Sequence, residues 1–179
     1  MENCASTLIS KVSETVNLIL GSCIPKREND YEEHFDGPKD DECRKEELKQ
    51  LVSMFASNAQ NYIGCIRISL DDGKKLESSY KLDSKLEVLC IKTGKHLQEI
   101  PLSSVDGIYN FDDVSSDENM MQNKTIDTLT RNERSRFVMI EHFENGQRQR
   151  LFMLVEEVGN SDPFVTVLRI LKMYADNKT

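Results

Sequence analysis

The stretch from residue 137 to residue 174 constrains this chain most. It reads Phe137-Val138-Met139-Ile140-Glu141-His142-Phe143, then Glu144-Asn145-Gly146-Gln147, then Arg148-Gln149-Arg150-Leu151-Phe152-Met153-Leu154-Val155. Two apolar, β-favouring runs flank an Asn-Gly pair, and these two residues best tolerate the positive φ that a tight hairpin turn demands. Past Gly159 and Asn160 the period changes. Ser161-Asp162-Pro163 offers an N-cap and a proline for the first helical position. Phe164, Val167, Leu168, Leu171 and Tyr174 follow at helical spacing, so one face of the helix is apolar. Such a helix has to cover something apolar, and the chain before it offers mostly strands.

A length of 179 residues bounds the chain to one domain with extensions. Hydrophobic content of 38% supports one compact core and leaves room for polar segments. No run of about eighteen apolar residues occurs, so no membrane-spanning helix is expected. The first residues do not read as a signal peptide, because Ser, Lys, Glu and Asn interrupt their apolar positions. The net charge of −8 argues against nucleic-acid partners. That charge is uneven: residues 1–60 carry 7 basic and 12 acidic groups, and residues 61–179 carry 16 and 19. Asp112, Asp113, Asp117 and Glu118 fall together, so the remainder of the second part is near neutral and has room for a locally basic face.

The five cysteines, Cys4, Cys23, Cys43, Cys65 and Cys90, are odd in number and contain no C-x-x-C pair. This is unlike a disulfide framework or a zinc site and fits a reducing cytosolic setting. Asn123-Lys124-Thr125 matches a glycosylation acceptor and, without a secretory route, is read as chance. His34, His96 and His142 are far apart, and no phosphate-binding loop, G-x-S-x-G or H-E-x-x-H is present. No metal, cofactor or enzymatic activity is therefore expected.

In chain order, residues 6–20 place Leu8, Ile9, Val12, Val16, Ile19 and Leu20 on one face of a helix that stops at Gly21. This helix either docks on the domain or lies on a membrane surface, and its polar face is poor in Lys and Arg. Residues 28–42 have the composition of an acidic linker. A second helical period, with Leu48, Leu51, Val52, Phe55 and Ala59, spans residues 41–60. From Tyr62 the period is two. Ile66, Ile68 and Leu70 precede an Asp72-Gly73 turn, Leu76 to Leu82 return, and further strands are expected from Leu86 to Ile91, His96 to Ile100 and Val105 to Phe111. Residues 112–134 read as a long polar loop without period. The domain expectation is an extension over residues 1–60 and a mostly β domain over residues 61–179.

Seven antiparallel strands closed by one helix resemble a pleckstrin-homology domain over residues 61–179. The resemblance implies a seven-stranded barrel or sandwich of two orthogonal sheets, with Phe164, Val167, Leu168 and Leu171 plugging one open corner. The superfold hosts lipid binders, peptide binders and inert scaffolds. Met1-Glu2-Asn3-Cys4-Ala5-Ser6 matches the N-myristoylation signal except at position 2, where Glu2 replaces the required glycine. Cys4 stands where a palmitoylated cysteine often accompanies the myristoyl group. With the strand phrases Leu70-Asp71-Asp72-Gly73 and Glu99-Ile100-Pro101-Leu102, the chain resembles the acylated pleckstrin-homology proteins of apicomplexan parasites. That resemblance implies a peripheral protein on the cytosolic face of the microneme that senses phosphatidic acid and supports microneme exocytosis. The chain is also similar to the inner-membrane-complex sub-compartment proteins, which implies a scaffold for protein partners without headgroup specificity. Glu2 excludes myristoylation of the polypeptide as written, so a soluble cytosolic distribution is expected until acylation is restored.

Phosphate monoesters are held by several Lys or Arg groups converging at close range. Lys74 and Lys75 at the first turn, with Lys92 and Lys95 at the third, are expected at one open end of the barrel and form the headgroup candidate for phosphatidic acid or another anionic lipid. The bland alternative is ordinary solvent-facing charge that protects strand edges. Arg148 and Arg150 alternate on one strand face and are a second candidate. Lys26 and Arg27 add nonspecific attraction to an anionic surface of about 1 kcal/mol each.

Overall fold

The computed structural model describes residues 39–117, 124–156 and 161–177. The chain divides into two compact units, Met1–Ser57 and Asn58–Thr179. The described part of the first lies in helix α1 (Lys39–Asn58), which is close to the expected 41–60 and whose last residue opens the second unit.

The second unit carries seven strands in order: β1 (Ile63–Ile68), β2 (Lys75–Leu82), β3 (Val88–Thr93), β4 (His96–Pro101), β5 (Val105–Asn110), β6 (Phe137–Glu144) and β7 (Gln147–Val155). A 3-10 turn, Leu102–Ser104, joins β4 to β5. Among the described residues, three short helices, α2 (Phe111–Ser115), α3 (Lys124–Asp127) and α4 (Arg131–Arg136), lie between β5 and β6, and α5 (Asp162–Asp176) follows β7. All strand pairs are antiparallel, in the order β4-β3-β2-β1-β7-β6-β5.

The turn chemistry follows the sequence. Asn145 and Gly146 take φ 51° and 77°, as a two-residue hairpin turn of this hand requires. Gly94 takes φ 58° at the first central position of the Thr93–His96 turn. The third strand departs from expectation. Leu86 is not in it but in the preceding turn, at φ 59° and almost fully buried. Asp83 explains the shift: its carboxylate accepts the N–H groups of Lys85, Glu87 and Val88, which holds these residues in a turn and starts the strand at Val88.

Register assigns the faces. Tyr80, Leu82, Leu89, Ile91, Ile100, Val138, Ile140, Leu151 and Met153 share the inner face and are buried. Helix α5 covers this face: the Phe164 ring meets Tyr80 edge-on, with centroids 5.1 Å apart at 87°. Phe164, Val167, Leu168 and Leu171 are fully buried, and α5 packs along β5 and the 3-10 turn. Ser161 stands at the N-cap position without a side-chain capping bond. Asp162 in the first turn accepts the Asn110 amide at 2.7 Å.

The outer face of β1, β7 and β6 is also apolar. Ile68, Phe137, Met139, Phe152 and Leu154 form a second core with Val114, Ile126 and Leu129. The last three come from the segment read as a polar loop, and that reading is corrected here. One- and two-turn helices are too short to show a period, so three isolated anchors in polar sequence carry no pattern. Two capping boxes hold the segment: Asn110 with Asp113, and Thr130 with Glu133. Each buried anchor contributes about 1.5–3 kcal/mol. The sequence signal for this cover was in the strands. Phe137 to Ile140 and Leu151 to Val155 are continuous apolar runs, and a run without alternation belongs to a strand buried on both faces.

Candidate functional site

Antiparallel register brings the β1–β2, β3–β4 and β6–β7 turns to one end of the sheet. The sequence candidates Lys74, Lys75 and Lys95 therefore do gather at one end, but they are not equivalent. Lys74 pairs with Asp72 at 2.5 Å inside its own turn. That hydrogen bond, foremost, pulls the Asp72 carboxyl down to about 2. Lys75 pairs with Glu133, the carboxylate that also closes the capping box of α4. The Lys75 hydrogen bond is the largest cause holding Glu133 below the usual carboxylate range. Lys95 is exposed in the β3–β4 turn and makes no ion pair among the described residues.

Lys92 lies on the outer face of β3, and its ammonium sits 5.8 Å from the Tyr62 ring centroid. Lys81, its neighbour on β2, sits 4.9 Å from the same ring. Sequence reading missed this cluster. Tyr62, Lys81, Cys90, Leu97 and Glu99 line a cleft of about 450 Å³ on the outer face of β2, β3 and β4. Burial, first, raises the Cys90 thiol pKa, so the thiol is a poor nucleophile. The sequence itself shows only that Lys81 and Lys92 fall on consecutive strands. Their meeting depends on the cross-strand register.

The second candidate pair is used internally. Arg148 pairs with Asp106 at 2.6 Å and lies 5.7 Å from the Phe143 ring centroid. Arg150 donates to Glu141 at 2.7 Å, and Glu141 is 2% exposed. Arg150 therefore neutralises a buried carboxylate, which would be left unpaired if the arginine turned to a ligand. Glu2, Cys4, Lys26, Arg27 and the expected helix over 6–20 lie outside the described residues. A further cleft of about 390 Å³ at the opposite end is lined by Asn110, Phe111, Asp112, Arg134 and Asp162. Its Arg134 is committed, with Nε on the Leu129 carbonyl at 3.1 Å and the guanidinium over Phe111 at 4.9 Å. No described helix is long and apolar enough to cross a membrane.

Inner Membrane Complex Sub-compartment Protein 1 of Toxoplasma gondii superposes on the chain with a TM-score of 0.52 at 15% identity, covering 80% of this chain and 99% of that one. The fold is pleckstrin-homology-like. Sub-compartment Protein 3 of the same organism gives a TM-score of 0.49 at 12% identity, over 71% of this chain and 86% of that one. PLC21 of L. pealei gives 0.48 at 12% identity, over 64% of this chain and 15% of that one. No family model and no curated protein matches the chain. In this pleckstrin-homology-like domain the end that gathers the β1–β2 and β3–β4 turns is the end where the four lysines were expected. There, two of the four are ion-paired and one stacks on an aromatic ring.

Proposed function

We propose that the chain is a non-enzymatic, peripheral adaptor whose pleckstrin-homology-like domain engages protein partners at a membrane surface without selecting a lipid headgroup. One observation carries this reading: Lys74 and Lys75, the cations of the first turn, are each neutralised by a carboxylate, Asp72 and Glu133. A headgroup phosphate there has to displace both. The likeness to the inner-membrane-complex protein supports the fold on which this reading rests.

A second reading keeps the headgroup site: phosphatidic-acid sensing on the cytosolic face of the microneme, in support of exocytosis, with acylation at Cys4 adding attachment. It is favoured by Lys95, exposed at the same end, and by the exposure of the Lys74–Asp72 pair, whose side chains are 74% and 41% accessible. Exposed pairs contribute little and exchange partners readily.

Liposome co-sedimentation across lipid compositions separates the two. The adaptor reading expects weak, salt-sensitive pelleting that follows total negative charge and is the same for phosphatidic acid and phosphatidylserine. Selective pelleting with phosphatidic acid, abolished by Lys74→Glu with Lys75→Glu in a folded protein, overturns it in favour of the sensor.

A further inference from the structure

The strand order leaves two edges, β5 and β4. The β5 edge is closed. Helix α5 packs against it, Arg169 donates to the Ile108 carbonyl oxygen at 2.9 and 2.6 Å, and a register shift between Val105 and Gly107 breaks the ladder. The β4 edge has no strand partner among the described residues. Thr93 and His96 close a two-residue turn, so His96, Gln98 and Ile100 direct their backbone groups to β3. Leu97 and Glu99 direct theirs outward, and β4 pairs with β3 alone among the described strands. No proline or bulge protects this edge before Pro101, and Leu97 is 48% exposed.

We propose that β4 pairs antiparallel with β4 of a second copy of this chain, about a twofold axis at Leu97. The charge pattern selects the partner and the register. With Leu97 opposite the partner's Leu97, Lys95 of the β3–β4 turn comes level with the partner's Glu99, and Glu99 with the partner's Lys95. Sliding the axis to Gln98 sets Leu97 against a carboxylate. Sliding it to Glu99 sets two carboxylates opposite each other, which is destabilising. A slip of one residue sets Leu97 opposite the partner's Gln98, whose backbone groups are already taken up by β3. The chosen register forms two interchain backbone hydrogen bonds at the Leu97 pair, brings each Glu99 level with the partner's β3–β4 turn, and covers an exposed leucine with its own copy. The inference is independent of either functional reading above. The contact is smaller than a standard interface, so dissociation on the order of 10–100 µM is expected.

Sedimentation equilibrium of the full chain from about 1 µM to about 1 mM reads this range. The mass is expected to rise from 20.6 kDa toward twice that value. Glu99→Lys and Lys95→Glu each place like charges across the twofold and are expected to stay monomeric. Mixed in equal amounts, these two variants are expected to associate, because each supplies the complement of the other. The double variant is expected to dimerise again. Leu97→Pro removes an outward N–H without touching the β3 ladder and is also expected to stay monomeric; unchanged denaturation midpoints establish that the variants fold. A wild-type chain that stays monomeric at about 1 mM overturns the proposal and leaves the edge to another protein's strand or a lipid surface. Dimerisation of the single-charge variants equal to wild type overturns it as well.

Discussion

Lys75 on β2 and Glu133 in α4, 58 positions apart, form an ion pair through the carboxylate that closes the α4 capping box. Glu133 also accepts the Thr130 backbone N–H at 3.0 Å and its hydroxyl at 3.0 Å. The pair ties the first turn of the sheet to the segment that covers its outer face. It also removes a lysine from the pool available to a headgroup.

Glu133→Gln keeps an acceptor for the Thr130 N–H and removes the ion pair with Lys75, so it should cost about 0.2–1 kcal/mol. The Glu133 carboxyl is held below its reference value of 4.5, mainly by Lys75 and next by the Thr130 backbone. A depressed folded-state pKa stabilises the fold above pH 4.5, and that contribution is lost as pH falls below it. Chemical denaturation at pH 7 and pH 4 should therefore show a smaller gap between wild type and variant at the lower pH. An equal gap at both would mean that the carboxylate's charge plays no part.

Leu168→Ala or Leu171→Ala should destabilise the domain by about 2–5 kcal/mol, because both side chains are fully buried where α5 covers the inner face. Unchanged midpoints for both would show that α5 does not close the core.

Leu129→Ala should also cost about 2–5 kcal/mol, although it lies in highly polar sequence. Leu129 is 4% exposed in the outer core with Ile68 and Phe152. A polar surface loop predicts a change within about 0.5 kcal/mol instead. The denaturation midpoint decides between the two.

His142 should make stability fall in mild acid. It is 3% exposed on the inner face of β6, and neither ring nitrogen has a well-formed hydrogen bond among the described residues. Burial, first, and then Arg67 on β1 hold its pKa below 6.5, while Glu144 on its own strand opposes them. Its cross-strand neighbours, Gln149 on β7 and Val105 on β5, carry no charge. Above pH 6.5 the ring is neutral folded or unfolded. As pH falls below 6.5 the unfolded chain binds a proton that the folded chain resists, so stability drops until the folded pKa is passed. His142→Leu should flatten the midpoint between about pH 7 and 5, and a profile identical to wild type would assign the acid sensitivity elsewhere.

Local chemistry wrote much of this fold into the sequence. Asn145-Gly146 and Gly94 set two hairpins because few other residues accept their backbone angles. Period-two runs marked the first five strands, and Phe164 to Tyr174 marked the covering helix, because one-sided burial imprints a period on the side chains; β6 and β7 were marked by continuous apolar runs around Asn145-Gly146. The tertiary structure decided the partners. Whether Lys75 meets solvent, lipid or Glu133 depends on a segment 58 positions away, which no local pattern encodes. Val114, Ile126 and Leu129 are invisible as anchors until β6 and β7 present an outer apolar face to receive them. The stacking of Lys81 and Lys92 on Tyr62 exists only because the register sets adjacent strands side by side. Backbone preference and periodicity act over a few residues and can be read along the chain; ion pairing and burial act through space, and only the folded sheet determines which groups they join.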